Sequence, residues 1–124
     1  MALIRKILGL LLLLLDRLIP VKGIITRSAS VQKQVDQETQ RLALYQFQSC
    51  PFCVKVRRKV TQLSLQVELK DVLNSPQARE ELMAGGGQYQ VPCLRIQDEQ
   101  GNFRWLYESD DINQWLMERF ANRA

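Results

Sequence analysis

Residues 42–72 restrict the fold more than any other part of the chain, because they hold two strand patterns separated by a helix pattern. The stretch Leu42–Phe47, apolar apart from Gln46, is typical of a buried strand, and Val67–Val72 alternates apolar and polar residues as a second strand does. Between them, Pro51 suits the first position of a helix. Two strands joined by a crossover helix lie parallel in one sheet. The segment therefore predicts a parallel β-α-β unit.

The sequence after this unit predicts a short helix, a hairpin and a last helix. The short helix extends from Asn74 to Met83, and the glycine triplet behind it is typical of a helix end. Val91–Ile96 and Phe103–Tyr107 have the pattern of a hairpin, whose strands are antiparallel. The last helix begins near Ser109. From residue 42 the predicted order is β-α-β-α-β-β-α, an α/β fold with a four-stranded mixed sheet and helices on both faces.

Residues 1–25 are the most apolar part of the chain, with an apolar run from Ile7 to Leu15. As a helix, this run covers about 14 Å, and the wider span Ala2–Ile19 covers about 27 Å, close to the thickness of a bilayer core. We interpret residues 1–25 as an N-terminal hydrophobic helix that anchors the protein to a membrane. A helix lying in the membrane interface is one alternative. A cleaved signal peptide within residues 1–30, which would make the protein secreted or periplasmic, is the other.

Positive charge is concentrated in the N-terminal third of the chain. Residues 1–41 carry seven basic and three acidic side chains, whereas residues 42–124 carry ten of each. A basic segment beside an apolar run favours an anionic membrane surface over nucleic acid. Residues 26–41 are polar and contain no aromatic residue, glycine or proline, so they predict a solvated stalk. The predicted organisation is an anchor at 1–25, a stalk at 26–41 and a globular domain at 42–124.

Cys50 and Cys53 are the candidate catalytic residues. Cys50 stands directly before a helix, where unsatisfied N–H groups and the helix dipole favour thiolate over thiol. Cys53 lies three residues before Val56 on the inner face of that helix, so we expect it to be less exposed. An exposed thiolate attacks a disulfide and a shielded thiol resolves the mixed disulfide, so the pair predicts thiol–disulfide exchange. A permanent disulfide and half of a metal site are the alternatives.

The composition argues against a metal site. The chain has no histidine and three cysteines, too few for the ligand shell of a structural zinc ion. We therefore expect no metal. The third cysteine, Cys93, is interpreted as a small buried hydrophobic residue, with a second redox partner as the alternative.

Three motifs together resemble the glutaredoxins. Cys-Pro-Phe-Cys follows the strand Leu42–Phe47, Q-V-P-C-L at Gln90–Leu94 precedes a strand, and Y-E-S-D-D-I at Tyr107–Ile112 opens the last helix. The second and third motifs are most similar to the glutathione-S-transferase-like type of glutaredoxin and to the N-terminal domain of glutathione transferases. The resemblance covers residues 42–124 and implies a thioredoxin-like fold.

The resemblance also implies a glutathione-binding site. In that superfamily the proline matching Pro92 is cis and faces the active cysteine, and the Val91 backbone would pair with the cysteinyl part of glutathione. Glu108 and Ser109 would hold the γ-glutamyl end at a helix N-terminus. Phe52 would also contact glutathione. An ordinary helix N-cap is the alternative for Glu108 and Ser109.

The sequence as a whole predicts a glutathione-dependent thiol–disulfide oxidoreductase that reduces protein disulfides or glutathione mixed disulfides near a membrane. Its expected partners are glutathione, a disulfide-containing protein or small molecule, and membrane lipid through residues 1–25. The domain is expected to face the cytoplasm, because basic residues are more numerous after the apolar run than before it and because glutathione-coupled exchange needs a reducing compartment. The alternative is a non-catalytic, glutathione-transferase-like binding module anchored to a membrane. A third possibility, binding of an iron–sulfur cluster, is usually associated with a Cys-Gly-Phe-Ser motif in the family that this sequence resembles. Pro51 and Cys53 depart from that motif and argue against it.

Overall fold

The computed structural model describes residues 2–123; Met1 and Ala124, the outermost residues of the predicted anchor and domain, lie outside this range. The elements in chain order are α1 (Ala2–Leu18), α2 (Ala29–Thr39), β1 (Leu42–Gln46), α3 (Pro51–Gln62), β2 (Glu68–Asp71), α4 (Pro76–Glu81), a π-helical turn (Leu82–Gly86), β3 (Cys93–Gln97), β4 (Phe103–Tyr107) and α5 (Ser109–Phe120).

The four strands form one mixed sheet in the order β2-β1-β3-β4. β1 pairs with β2 in parallel, and Leu44 stands opposite Leu69. β1 pairs with β3 antiparallel, with Tyr45 opposite Cys93, and β3 and β4 form an antiparallel hairpin. The parallel pair follows from the crossover through α3. This sheet confirms the predicted thioredoxin-like α/β fold.

The two faces of β1 supply two separate cores, because successive side chains of a strand point to opposite faces. Leu42 and Leu44 pack with residues of α3 and α5, whereas Ala43 and Tyr45 pack with residues of α4. Helices therefore cover both faces of the sheet, as predicted. Between these layers, β1 leads into the loop that carries Cys50, and α3 begins directly behind that residue.

The segment predicted as a solvated stalk is instead packed against the domain. Val35 of α2 is fully buried in the first core, and Ile25 and Val31 pack against the same cluster. Thr39 is also buried, and its Oγ1 donates to the carbonyl oxygen of Asp36 (3.0 Å). Val31, Val35 and Thr39 follow each other at four-residue spacing, which places them on one side of a helix. Because most of its other residues are polar, the composition of this segment does not reveal the narrow buried stripe.

Helix α1 meets the domain through one stripe of partly buried residues, namely Gly9, Leu12, Leu13 and Asp16. None of Ala2–Leu18 is fully buried. Among residues 2–123, no helix has both the length and the apolar character needed to cross a membrane. Attachment of this segment to a membrane stays a prediction.

The glycine triplet permits close packing against two aromatic rings. A Cβ atom on Gly85 would lie 2.2 Å from Cζ2 of Trp105, and one on Gly86 would lie 2.1 Å from the hydroxyl oxygen of Tyr107. We expect Gly85→Ala to lower the free energy of unfolding by about 1–3 kcal/mol, because the ring and the backbone must move apart. Urea unfolding measures this change.

Gly87 provides the matched control for that prediction. Its φ is +82° and no atom lies within 4 Å of a Cβ placed there. Asparagine tolerates this left-handed conformation, so Gly87→Asn should cost much less stability than Gly85→Ala. Equal unfolding midpoints for the two variants would contradict the packing explanation.

Candidate functional site

The cysteine pair lies where β1 ends and α3 begins. Cys50 is the N-cap residue of α3 in an extended conformation (φ −82°, ψ 126°), and its carbonyl oxygen accepts a hydrogen bond from the Val54 N–H (2.9 Å). Pro51 takes the first helical position, where a backbone N–H has no partner within the helix. The N–H that proline lacks therefore costs no helical hydrogen bond. Cys50 is half-buried and Cys53 is fully buried. One cysteine of the pair is therefore accessible and the other is shielded.

The environment of Cys53 favours the neutral thiol. Burial raises the pKa of Cys53 to about 12, and this effect exceeds the opposite effect of the Phe47 N–H, which donates to the Cys53 sulfur (3.4 Å). The adjacent Cys50 side chain adds to the increase of the Cys53 pKa. At neutral pH Cys53 is thus protonated, and Cys50 is the residue of the pair that is positioned to attack.

Arg57 holds the loop that leads into the motif. From α3, its Nη1 donates to the carbonyl oxygen of Phe47 (3.2 Å) and its Nη2 to that of Gln48 (2.7 Å). Its Nη1 also bonds to Oε1 of Gln46. Sequence analysis did not single out Arg57. The sequence did contain one indication of its role. Arg57 follows Cys53 by four residues, so the two lie on the same side of α3 one turn apart.

Loss of the Arg57 side chain should slow disulfide exchange. Arg57→Met removes the charge and the hydrogen bonds to the loop, so we expect the rate of disulfide reduction to fall about tenfold, a modest loss for a displaced reacting group. Arg57→Lys should recover part of the rate, because lysine keeps the charge but lacks the planar fork. The pH profile of Cys50 alkylation and the thermal unfolding curve, measured on both variants, distinguish positioning from loss of structure. A wild-type profile and rate in Arg57→Met would contradict this role.

A cleft of about 510 Å³ adjoins the motif. Its lining includes all five residues for which the resemblance implies contact with glutathione: Phe52, Val91, Pro92, Glu108 and Ser109. The Val91–Pro92 peptide bond is cis, as the resemblance implies. The fold thus brings residues from three separate motifs to one cavity. Their contact with glutathione stays a prediction.

The N-terminus of α5 forms the polar end of this cleft. Ser109 is the first helical residue and is buried, and Glu108 before it has a φ of +69°, which is uncommon for a residue other than glycine. Gln90 Nε2 donates to Glu108 Oε1 (3.0 Å), a contact that sequence analysis missed. Lys55 of α3 forms an exposed ion pair with Asp110 at the same end. Unpaired N–H groups in the first turn of a helix favour a bound carboxylate.

Cys93 lies outside this cleft, in the second core. It is fully buried beside Tyr45 and Tyr107, and burial raises the pKa of Cys93 to about 12. Its surroundings agree with the interpretation as a small buried hydrophobic residue. Within residues 2–123, no group of three histidine, cysteine or acidic side chains is arranged to hold a metal ion.

Comparison with known proteins gives one family-model match and several similar solved structures. The glutaredoxin family model matches residues 42–100, which contain Cys50, Cys53 and the cis proline. No curated protein matches the chain.

Solved structures with a similar fold include maleylacetoacetate isomerase from Anaeromyxobacter dehalogenans 2CP-1 with bound GSH in its active site. It is 28% identical with a TM-score of 0.51, over 67% of this chain and 39% of that one. Glutathione transferase Omega 1C from Trametes versicolor is 18% identical with a TM-score of 0.55, over 67% of this chain and 38% of that one. Oxidized glutaredoxin 2 from Chlamydomonas reinhardtii is 18% identical with a TM-score of 0.46, over 77% of this chain and 98% of that one.

The chain spans only 37% to 39% of the length of the isomerase and transferase structures that head these matches. What it shares with them is the thioredoxin-like domain.

Proposed function

We propose that this protein is a glutathione-dependent thiol–disulfide oxidoreductase of the glutaredoxin type, in which Cys50 attacks and Cys53 resolves. The observation that carries the proposal is the asymmetry of the pair. Cys50 is accessible at the start of a helix, whereas Cys53 is buried and its pKa is raised to about 12. The glutaredoxin match over residues 42–100 and the cleft beside the pair support the same function.

The reaction starts when the Cys50 thiolate attacks the glutathione sulfur of a mixed disulfide. A bond forms between Cys50 and that sulfur, the old sulfur–sulfur bond breaks, and the substrate leaves as a thiolate that takes up a proton. A free glutathione then attacks the Cys50–glutathione disulfide and releases oxidised glutathione and the Cys50 thiolate. The net reaction converts a mixed disulfide and one glutathione into a thiol and oxidised glutathione.

Reduction of protein disulfides also uses the second cysteine. After Cys50 has attacked one substrate sulfur, Cys53 attacks Cys50 and displaces the substrate as a dithiol. The resulting Cys50–Cys53 disulfide is then reduced by two glutathione molecules, which leave as oxidised glutathione. Because Cys53 is buried and neutral before the first step, it does not compete with Cys50 for the substrate.

The cleft has the chemistry needed for the γ-glutamyl end of glutathione, which carries one carboxylate and one ammonium group. The N–H groups at the start of α5 favour the carboxylate. The carboxylate of Glu108 favours the ammonium group, since opposite charges at close range attract. Phe52 is 61% exposed and provides an apolar contact beside Cys50. We assign the Val91 backbone to the cysteinyl part of glutathione.

Reduction of hydroxyethyl disulfide tests the proposal. The full chain is assayed with glutathione, and oxidised glutathione is recycled by glutathione reductase and NADPH. We expect turnover that depends on glutathione and is lost when thioredoxin reductase replaces glutathione and its reductase. If the folded protein binds glutathione by calorimetry but shows no turnover, the non-catalytic binding module is the better explanation.

We further propose that residues 1–25 attach the protein to a membrane and that the domain faces the cytoplasm. The exposed leucine and isoleucine side chains of α1 and the basic residues around them support this location. Cell fractionation tests it, together with the reaction of Cys50 with a membrane-impermeant thiol reagent in intact cells. Recovery of the full-length protein away from membranes, or a mature N-terminus near Val31, would overturn it.

A further inference from the structure

Helix α1 presents two different sides. The stripe Gly9, Leu12, Leu13 and Asp16 faces the domain. The nine leucine and isoleucine side chains outside this stripe, from Leu3 to Leu18, are each at least 48% exposed. At 3.6 residues per turn these nine positions form one continuous side of the helix, opposite the stripe. An exposed apolar surface of this extent marks a contact with a partner or a membrane.

The charges of α1 favour a lipid surface as that partner. Lys6 and Arg17 project along one border of the apolar side, between it and the domain. Asp16 is the only acidic residue of the helix; it is turned towards the domain, where its Oδ1 accepts a hydrogen bond from Arg58 Nη1 (2.9 Å). An apolar side bordered by basic residues is the pattern of a helix that lies in the plane of an anionic membrane.

The position of α1 on the domain brings this side close to the cysteine pair. Asp16 contacts Arg58 within α3, whereas Gly9 contacts Ser49, the residue before Cys50. A Cβ atom on Gly9 would lie 3.1 Å from Cβ of Ser49, so the backbone of α1 lies close to the Ser49 side chain there. The helix therefore runs parallel to α3, and its first turns continue past the loop by roughly 10 Å.

The same contact fixes the distance between the cysteine pair and the apolar side. An α-helix with its side chains is about 10–12 Å thick, so the loop at Ser49 lies about one helix diameter from the outer surface of α1. A small cleft of about 310 Å³ lies beside this contact and is lined by Lys6, Gly9, Leu10, Leu13, Gln48 and Ser49.

We propose that α1 holds Cys50 about one helix diameter above an anionic membrane surface, and that the substrates are glutathione mixed disulfides on membrane-protein cysteines at that height. The proposal rests on the exchange reaction described under the proposed function and uses the same steps. The Cys50 thiolate takes the glutathionyl group, the membrane-protein cysteine leaves as a thiol, and a free glutathione releases oxidised glutathione. Sharing one surface raises the effective concentration of such substrates.

Vesicles that carry a tethered substrate test the proposal. A glutathionylated cysteine peptide is coupled to a lipid headgroup through a short or a long polyethylene glycol spacer, in vesicles of phosphatidylcholine with or without phosphatidylserine. We expect the full chain to bind the vesicles that contain phosphatidylserine. There it should reduce the short-tethered peptide about a hundredfold faster than the free peptide, and the long spacer should diminish this advantage.

Two matched variants distinguish the effect of membrane binding from the effect of the height of Cys50 above the membrane. Leu8→Asp with Leu11→Asp places charge on the apolar side, so vesicle binding and the rate advantage should both disappear while the rate on free peptide is unchanged. Gly9→Leu with Asp16→Lys instead places a bulky side chain against Ser49 and a like charge beside Arg58, so it should detach α1 from the domain. The apolar side of the helix stays intact. This second variant should still bind vesicles but should reduce short- and long-tethered peptides at equal rates.

Three results would overturn the proposal: no vesicle binding by the wild type, binding without a rate advantage, or a dimer that Leu8→Asp with Leu11→Asp converts to a monomer. The last result, read from light scattering, would assign the apolar side to a second copy of the chain. If the wild type fails to reduce both free peptide and hydroxyethyl disulfide, the proposed function fails instead. Energy transfer from a fluorophore on Cys50 to labelled lipid then still measures the height, and a large distance would refute the geometry.

Discussion

Replacing Cys50 by serine should abolish the reduction of every disulfide substrate, because serine cannot form the sulfur–sulfur bond of the first step. Cys53→Ser should have a much smaller effect on glutathione mixed disulfides, since a second glutathione can clear Cys50 without Cys53. Reduction of intramolecular protein disulfides should fall further in Cys53→Ser, because there the internal attack releases the substrate. Cys50→Ser is therefore expected to lose activity on all substrates, whereas Cys53→Ser should lose activity mainly on intramolecular protein disulfides.

Steady-state reduction of a glutathionylated peptide and of a disulfide-bonded protein, measured side by side, checks this division of roles. Cys93→Ala is the matched control, since Cys93 is buried in the second core and lies outside the cleft. It should retain activity on both substrates. Equal loss of mixed-disulfide reduction in Cys50→Ser and Cys53→Ser would contradict the assignment. Full activity in Cys50→Ser would leave the binding module as the better explanation.

Alkylation of Cys53 in the Cys50→Ser variant gives an independent check. Burial, the largest cause of the raised pKa of Cys53, remains in this variant, so the reactive thiolate fraction should still be increasing with pH well above neutral pH. A plateau in the alkylation rate near neutral pH would show that Cys53 is not held as a neutral thiol. The rate must be compared at each pH with that of a free thiol such as glutathione.

The sheet and the cleft were predictable because their determinants are local in the sequence. Leu42–Phe47 is apolar apart from Gln46, Pro51 marks the start of α3, and the crossover between β1 and β2 determines that they are parallel. The residues of the predicted glutathione site could be identified from the sequence for a different reason. Val91-Pro92 and Glu108-Ser109 stand directly at the start of β3 and α5, so the motif positions translate into neighbouring positions in the fold.

The packing of the N-terminal third was not predictable from the same signals. A helix that docks through a stripe as narrow as Val31 and Val35 has a polar composition, so it resembles a solvated segment. The sequence pattern also does not show which distant backbone carbonyl groups a side chain will bind. Arg57 and Arg58 bind carbonyl groups of the motif loop and of residues 16–20 in this way. Such contacts depend on the assembled fold.

Arg27 makes the most extensive contact of this kind. Its Nε donates to the carbonyl oxygen of Arg123 (2.6 Å), its Nη1 to that of Leu63 (2.7 Å) and its Nη2 to that of Phe120 (2.8 Å). These acceptors lie at or beyond the C-terminal ends of α3 and α5, where the last carbonyl groups of a helix have no helical partner. One guanidinium therefore joins the linker before α2 to the ends of two core helices.

Replacement of Arg27 by leucine should consequently destabilise the fold. The carbonyl groups of Leu63 and Arg123 would lose this donor, and that of Phe120 would keep only a long hydrogen bond from the Arg123 N–H (3.4 Å). An unsatisfied buried acceptor costs about 1–3 kcal/mol. We expect the free energy of unfolding to fall by about 3 kcal/mol or more, a large share of the 5–15 kcal/mol typical of a domain. Urea unfolding followed by circular dichroism measures the loss.

Two controls separate the hydrogen bonds from the charge. Arg27→Lys keeps the charge but cannot reach three carbonyl groups at once, so its stability should fall between those of the wild type and Arg27→Leu. Arg41→Leu removes an exposed arginine from the same part of the chain and should change stability by less than about 0.5 kcal/mol. If Arg27→Leu matched Arg41→Leu, the three hydrogen bonds of Arg27 would contribute nothing measurable to the stability of the fold. A loss confined to Arg27→Leu would instead make this segment a structural part of the domain, and the domain that begins at residue 42 would be incomplete without it.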